Sequence, residues 1–180
     1  MAPNWTEKGS FMPNIVGIFL LSCMLNIFSI HDNTYASPAT KAYTLLRVID
    51  GDTLELLTEG DEKILVRLYG IDCPEGRQDF GAGASRAAYE LTQNQILRLD
   101  LLYQDRYGRS VAIVWLPDNT SLQENLLKVG AAWVFPRYCT RQECVAWKKI
   151  ERSARELKIG LWETPHPISP WHWRKGNRRR

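Results

Sequence analysis

Acidic residues cluster in two short, turn-like segments of the chain. Asp50 and Asp52 lie on either side of a glycine, and Asp72 and Glu75 lie on either side of a Cys-Pro pair. If the strands before these segments share one sheet, the segments meet at one end of it, and their carboxylates repel unless a cation lies between them. Oxygen ligands without a histidine or cysteine cluster favour Ca²⁺ or Mg²⁺ over zinc. Taken singly, each acid is explained as well by capping of its own turn.

Two arginines add groups that can bind phosphate. Arg67 lies in an otherwise apolar segment, where an unpaired guanidinium would be costly, so it must face an acid, a ligand or water. Arg109 closes a turn that also contains Asp105, Arg106 and Tyr107. Guanidinium forks match pairs of phosphate oxygens. With carboxylates and a cation, they would supply the charge neutralisation, water activation and transition-state stabilisation that phosphodiester hydrolysis needs.

These residues lie at the ends of predicted strands. Strands are predicted at Tyr43 to Asp50, Thr53 to Leu57 and Lys63 to Ile71, the last of which is rich in Ile, Leu, Val and Tyr. Because short turns separate them, we expect a three-stranded meander. Two further strands are predicted at 97–103 and 110–116.

Three helices are predicted around these strands. Apolar residues recur at helical spacing from Ala84 to Leu91, and again within 141–159. Between them, Ser121 and Glu124 form a capping box for a short helix that ends at Gly130. Five short strands interleaved with helices predict a mainly β, α+β fold, a five-stranded OB barrel, although strand count alone leaves other α+β folds open.

Three segments resemble the signature motifs of the staphylococcal-nuclease-like family, the thermonucleases. They are V-I-D-G-D-T at 48–53, R-L-Y-G-I-D-C-P-E at 67–75 and D-R-Y-G-R at 105–109, and they match in order and spacing. The likeness runs from about Tyr43 to Trp162. It implies an OB-fold barrel with three helices and calcium-dependent cleavage of DNA and RNA.

The resemblance also implies a cation site and a base. Asp52 and Asp72 become Ca²⁺ ligands together with the backbone carbonyl of Cys73, and Glu75 positions or deprotonates the attacking water. Cys73 stands where the type member of the family has threonine, which matters little if only its carbonyl binds the metal. Pro136 occupies what looks like an aromatic base-contact position, so the base preference is left open.

The same resemblance assigns the substrate contacts. Arg67 and Arg109 become phosphate clamps, and Arg109 also stabilises the leaving group. Tyr107 and Tyr138 flank the bound nucleotide, and Arg106 joins them as a substrate-binding residue.

The two ends of the chain differ in character from its middle. An apolar stretch, 15–25, is too short to span a bilayer and suits a signal peptide cut after Ala36, so we expect a secreted or periplasmic protein. An uncleaved membrane anchor through residues 11–30 and lipid attachment at Cys23 are the alternatives. The predicted organisation is a signal peptide or N-terminal anchor at 1–36, a linker at 37–42, the nuclease-like domain at 43–164 and a Trp- and Arg-rich tail at 165–180.

The basic excess of the chain lies in its tail. The net charge is +3, but residues 37–164 hold 17 basic and 18 acidic residues, whereas residues 165–180 hold five basic residues and no acid. Overall charge therefore does not demand a nucleic-acid partner. Trp171 and Trp173 either stack on unpaired bases or pack back onto the barrel while the arginines stay solvated.

Two cysteines are close enough in sequence to pair. Cys139 and Cys144 are five residues apart and form either a small disulfide loop or two buried thiols. Cys73 has no obvious partner, and no zinc site is indicated.

Two other functions compete with hydrolysis: a non-catalytic OB-fold module that binds nucleic acid or protein, and a cell-envelope adaptor that uses the tail. A binding module has no need of Glu75 or the two arginines, so the complete set favours a nuclease. We expect DNA and RNA as substrates, with single strands preferred, no obligate protein partner, a monomer, and membrane contact only if the N-terminus is uncleaved.

Overall fold

A computed structural model describes residues 41–177, in which a curved sheet is covered by helices. The predicted signal peptide or anchor, Cys23, most of the linker and the last three arginines lie outside these residues. No helix within 41–177 is long and apolar enough to cross a bilayer. The strands are β1 (Tyr43–Asp50), β2 (Thr53–Thr58), β3 (Lys63–Leu68), β4 (Ile71–Asp72), β5 (Arg98–Gln104), β6 (Ser110–Trp115) and β7 (Trp133–Val134), and the α-helices are α1 (Gly81–Thr92), α2 (Leu122–Lys128), α3 (Glu143–Glu156) and α4 (Pro170–Asn177).

The first three strands form the predicted antiparallel meander. Asp50 pairs with Thr53 between β1 and β2, and Thr53 pairs with Arg67 between β2 and β3. Successive side chains of a strand point to opposite faces, so Val66 and Leu68 enter the core while Arg67 points away from it. The β1–β2 turn therefore lies beside the one charged residue in the middle of β3.

The sheet curls until its outer strands meet. Its order is β1-β2-β3-β6-β5, with β6 parallel to β3 and antiparallel to β5. At one end, Tyr43 at the start of β1 and Leu97 just before β5 exchange two backbone hydrogen bonds of 3.0 and 2.8 Å. This mainly β, five-stranded architecture is the one predicted from the sequence.

The helices close the core on one side of the sheet. Ser121 Oγ accepts a hydrogen bond of 3.1 Å from the backbone N–H of Glu124, which confirms the predicted start of α2. Gln123 on the same helix is fully buried, and its amide bonds the backbone of Ala112 and Val114 in β6, so its polar atoms are satisfied. Full burial stabilises each large apolar side chain by about 1.5–3 kcal/mol. The largest of these are Leu54, Leu56, Leu68, Ile71, Leu97, Ile113, Leu122, Leu126 and Leu127.

The third strand is shorter than predicted. It ends at Leu68, because Gly70 has a φ of 73° and turns the chain. A Cβ at Gly70 would also lie 2.8 Å from the sulfur of Cys139. Residues 71–72 form a separate short strand, β4, which pairs with β7 rather than extending β3. The prediction of a continuous strand to Ile71 was wrong because side-chain periodicity does not record the sign of φ at one glycine.

The tail forms a fourth helix that the sequence did not predict. Helix α4 has proline at its first position, and the carbonyl of Ser169 accepts hydrogen bonds of 3.0 Å from His172 and Trp173. The ring of Trp171 stacks on Phe135 with centroids 5.1 Å apart and planes 4° apart. Of the two alternatives for this ring, packing onto the domain is the one observed.

A disulfide joins the loop before α3 to the first turn of that helix. Cys139 and Cys144 are bonded, with Cα atoms 5.6 Å apart and both residues buried. Because Gly70 packs against Cys139, this loop also supports the turn that leads into Asp72. The remaining described cysteine, Cys73, is a buried free thiol.

In protein recovered from an oxidising compartment, we expect Cys139 and Cys144 to resist alkylation until a reductant is added. The loop is short, so its closure restricts little unfolded-chain entropy, and the double variant Cys139→Ser/Cys144→Ser should melt only moderately lower than the wild type. Mass spectrometry after alkylation of the native, non-reduced protein provides the measurement. Two alkylated thiols in protein recovered from an oxidising compartment would contradict the expectation.

Candidate active site

The two acidic segments meet because Gly51 allows them to. A Cβ at Gly51 would lie 2.7 Å from the Cβ of Cys73 and 2.8 Å from that of Ala84, so no other residue fits this turn without a shift. The carboxylate of Asp52 accepts a hydrogen bond of 2.7 Å from the backbone N–H of Cys73. The β1–β2 turn is thereby bonded to the residue that follows Asp72, and both segments lie at the same end of the sheet.

Arg67 bridges the two aspartates. Its Nη2 lies 3.1 Å from Asp52 Oδ2 and 3.0 Å from Asp72 Oδ1, while its Nη1 donates to the carbonyl of Leu68 at 2.9 Å. Both aspartates are buried, with exposed fractions of 5% for Asp52 and 1% for Asp72. A buried charge is tolerated when it is paired and hydrogen-bonded, which is the condition that this bridge meets.

Burial sets the protonation of this cluster. It raises the pKa of Asp52 from 3.8 to about 8, although the charge of Arg67 opposes the shift. Burial also raises the pKa of Asp72 above its usual range, against the opposing effects of its arginine partners. The thiol of Cys73 has a pKa well above its ordinary value, mainly through burial, so its sulfur stays protonated. For a hard cation, the carbonyl oxygen of Cys73 is a better-matched donor than its sulfur.

A tight loop positions Glu75. Its carbonyl accepts from the N–H of Gln78 at 2.7 Å, and its own N–H donates to the side chain of Gln78 at 3.2 Å. A Cβ at Gly81, the first residue of α1, would lie 2.0 Å from the Glu75 carbonyl oxygen. The start of α1 therefore packs directly against the backbone of Glu75.

Arg109 is held by an acid within its own turn. Asp105 accepts hydrogen bonds from the N–H of Arg109 at 3.0 Å and from its Nε at 2.8 Å, and Nη2 lies 2.8 Å from the same carboxylate. Partial burial works against ionisation of Asp105, but the hydrogen bonds from Arg109 and Tyr107 outweigh it and hold the pKa below its usual range. The remaining nitrogen, Nη1, reaches Thr53 at 3.5 Å, at the start of β2.

Aromatic rings and further arginines border the same space. Tyr107 is two-thirds exposed, its hydroxyl accepts from Arg106 at 2.6 Å, and the guanidinium of Arg106 lies 4.8 Å from its ring centroid. Tyr138 is about half exposed and meets Phe135 edge to face, with centroids 4.9 Å apart.

One cleft of about 700 Å³ collects every residue predicted to touch metal or substrate. The disulfide lies outside its lining. The predicted residues in the lining are Asp52, Arg67, Asp72, Cys73, Glu75, Arg106, Tyr107, Arg109 and Tyr138.

Arg174 is a charged cleft residue that the sequence did not assign to the site. It comes from α4, and its two terminal nitrogens bond Asp72 and Glu75 at distances between 2.6 and 3.2 Å. The only signal in the sequence was a base among the tail tryptophans, and that pattern indicated strand binding or a solvated end.

The donor chemistry of the cleft fits a hard cation. Asp52 and Asp72 offer carboxylate oxygens around one guanidinium nitrogen, and the carbonyl of Cys73 is of the same oxygen type. Within residues 41–177 no three His, Cys, Asp or Glu side chains cluster as a metal site. A cation here would thus depend on two carboxylates, backbone oxygen and water, which suits Ca²⁺ or Mg²⁺ rather than zinc.

Comparisons with known proteins point to one family. A family described as staphylococcal nuclease homologue matches residues 65–164. The chain is 33% identical over 130 residues to an uncharacterized endonuclease of Escherichia coli O157:H7, covering 72% of this chain and 82% of the relative. It is 32% identical over 142 residues to a micrococcal nuclease of Shigella flexneri, covering 74% and 80%. An uncharacterized endonuclease of Haemophilus influenzae is 31% identical over 156 residues, covering 87% and 84%.

Burial of Asp52 predicts a pH-dependent stability in the presence of chelator. The folded protein holds a proton on Asp52 up to about pH 8, whereas the unfolded chain releases it near 3.8, so this contribution to stability is lost as pH rises between those values. Asp52→Asn keeps an oxygen acceptor for the Cys73 N–H but cannot ionise. As pH rises across this range, the unfolding free energy of Asp52→Asn should therefore increase relative to that of the wild type. The increase should exceed roughly 1.4 kcal/mol, the value that corresponds to a tenfold change in protonation.

Urea unfolding of both proteins at a series of pH values measures this difference. Parallel curves for the wild type and Asp52→Asn would show that Arg67 keeps Asp52 ionised in the folded state.

Proposed function

Because the chain belongs to the staphylococcal nuclease homologues and is therefore a nuclease, we propose that it hydrolyses phosphodiester bonds of both DNA and RNA in a calcium-dependent reaction. The observation that carries the proposal is the meeting, in one cleft, of two buried carboxylates, the acid Glu75 and the guanidinium groups of Arg67 and Arg109. A module that only binds nucleic acid has no use for this set.

The cleft residues have separate roles in the proposed hydrolysis. Asp52, Asp72 and the Cys73 carbonyl would hold the cation, which when bound neutralises phosphate charge and makes water more acidic. Glu75 accepts a proton from the water that attacks phosphorus. Arg67 and Arg109 bind the non-bridging oxygens, whose charge grows as the fifth bond to phosphorus forms.

The bond that breaks lies on the side of phosphorus opposite the attacking water. The ester P–O bond breaks as the new P–O bond forms, and the leaving oxygen takes a proton from solvent. Arg109 stabilises this oxygen while negative charge develops on it. Asp105 positions Arg109 for this role, because it holds Nε and Nη2 while Nη1 points towards Thr53 at the start of β2.

The rim of the cleft supports a preference for single strands. Tyr107 and Tyr138 present exposed rings on which unpaired bases can stack, and Arg106 and Arg137 lie over those rings. In a duplex the bases are already stacked on one another, so these rings would contribute less.

We further propose that the protein works outside the cytoplasm. The apolar stretch at 15–25 suits an export signal, and the bond between Cys139 and Cys144 is of a kind that persists in oxidising compartments. Monomeric action fits a cleft to which one chain contributes the whole proposed set.

The proposal is tested by cleavage of single-stranded DNA and RNA with Ca²⁺ and again with excess chelator. Wild-type protein should cleave both substrates, and chelator should abolish cleavage. Glu75→Gln should lower turnover by about 100-fold to 10,000-fold because it removes the acceptor of the water proton. Calorimetry should show that this variant still binds calcium, because the proposed ligands Asp52, Asp72 and the Cys73 carbonyl are intact.

Full activity in chelator would contradict the calcium requirement, and wild-type turnover in Glu75→Gln would remove Glu75 from the mechanism. The matched control is Glu62→Gln, an exposed acid in the β2–β3 turn outside the cleft.

Replacing either phosphate-binding arginine by lysine should be nearly as damaging as replacing it by alanine. An ammonium group cannot bind two oxygens in the geometry of a guanidinium fork, so Arg67→Lys and Arg109→Lys should each lose about 100-fold or more in turnover. Arg47→Lys is the control, because Arg47 pairs with Glu55 outside the cleft. Steady-state kinetics of all three variants, after their melting temperatures are compared, provide the measurement. If Arg67→Lys or Arg109→Lys kept most of the activity, bidentate binding of phosphate by that arginine would be wrong.

A further inference from the structure

The C-terminal helix delivers a guanidinium to the proposed cation site. Arg174 Nη2 lies 2.7 Å from Asp72 Oδ2, and its Nη1 lies 2.6 Å from Glu75 Oε1 and 3.2 Å from Asp72 Oδ1. It thus engages both oxygens of one proposed ligand and one oxygen of the proposed base.

Asp72 has little capacity left for another positive group. A carboxylate offers about four lone-pair directions. Arg174 uses two of those of Asp72, and Arg67 uses a third at 3.0 Å. A cation bound to Asp72 would also meet the positive charge of Arg174 at close range. Both effects mean that cation binding and the observed Arg174 contacts compete.

The position of Arg174 is determined by the docking of the whole helix. Trp171 stacks on Phe135 and meets Trp133 edge to face, with centroids 5.7 Å apart. The side chain of Gln78, three residues after Glu75, donates to the carbonyl of Ile168 just before the helix. The guanidinium is thus presented to the carboxylates by a packed segment.

We propose that Arg174 is a tethered competitor of the cation: it neutralises Asp72 and Glu75 in the metal-free protein and is displaced from them when the cation binds. This inference rests on the proposed cation site at Asp52 and Asp72. It makes the tail part of the reaction site, because the same displacement frees Glu75 to accept a proton.

The test is calcium binding by full-length protein, measured by isothermal titration calorimetry. Arg174→Gln removes the competing charge and should tighten calcium binding by about tenfold or more, as expected for the loss of charged hydrogen bonds. Arg174→Lys keeps the charge but loses the fork, so its affinity should lie between the two. Lys175→Gln is the matched control, since Lys175 is exposed on the same helix and does not line the cleft.

Melting temperatures provide a second readout that does not depend on activity. In chelator, Arg174→Gln should melt below the wild type, because Asp72 and Glu75 lose a shared partner, and added calcium should raise its melting temperature more than that of the wild type. Lys175→Gln should match the wild type in both conditions.

The possible failures are distinguishable. If the wild type binds calcium and Arg174→Gln binds it equally or more weakly, the competition is wrong and the proposed function stands. If neither binds calcium while both melt cooperatively, the cation site itself is wrong, and the inference falls with it.

Discussion

The charge balance around Arg67 is the constraint on which the rest of the site depends. Asp52 and Asp72 are buried where desolvation raises the pKa of both acids, and the guanidinium of Arg67 between them opposes that shift. Gly51 permits the approach and the Cys73 N–H holds Asp52 in it. The fold thereby brings one guanidinium nitrogen to within 3.1 Å of two carboxylates.

Such a cluster is a poor arrangement for stability and a useful one for chemistry. Buried carboxylates favour a cation that can reach them, and both aspartates line the cleft. In the described structure further charge compensation comes from a second guanidinium, Arg174, which arrives from a helix packed against Phe135 and Trp133. The tail therefore shares the electrostatics of the site, although it lies beyond the family match at 65–164.

Local sequence patterns predicted the secondary structure except where the backbone conformation of a single residue or distant packing determined it. Short apolar runs bounded by turns located β1, β2 and β6, and the Ser121 capping box located the start of α2. The end of β3 was missed because Gly70 turns the chain with a positive φ, which its apolar neighbours do not reveal. Helix α4 was missed because three prolines and the scattered aromatic residues of the tail show no helical period; packing of Trp171 holds it in place.

The sequence by itself determined the chemistry of this protein: acids beside tight turns, an arginine in an apolar strand, and a turn carrying a second arginine. These patterns are local, so residue type and spacing are enough to recognise them. Only the tertiary structure decided which charges neutralise one another. Arg174 meets Glu75 and Asp72 across 99 and 102 residues, and that contact depends on how a terminal helix packs, which no local period encodes.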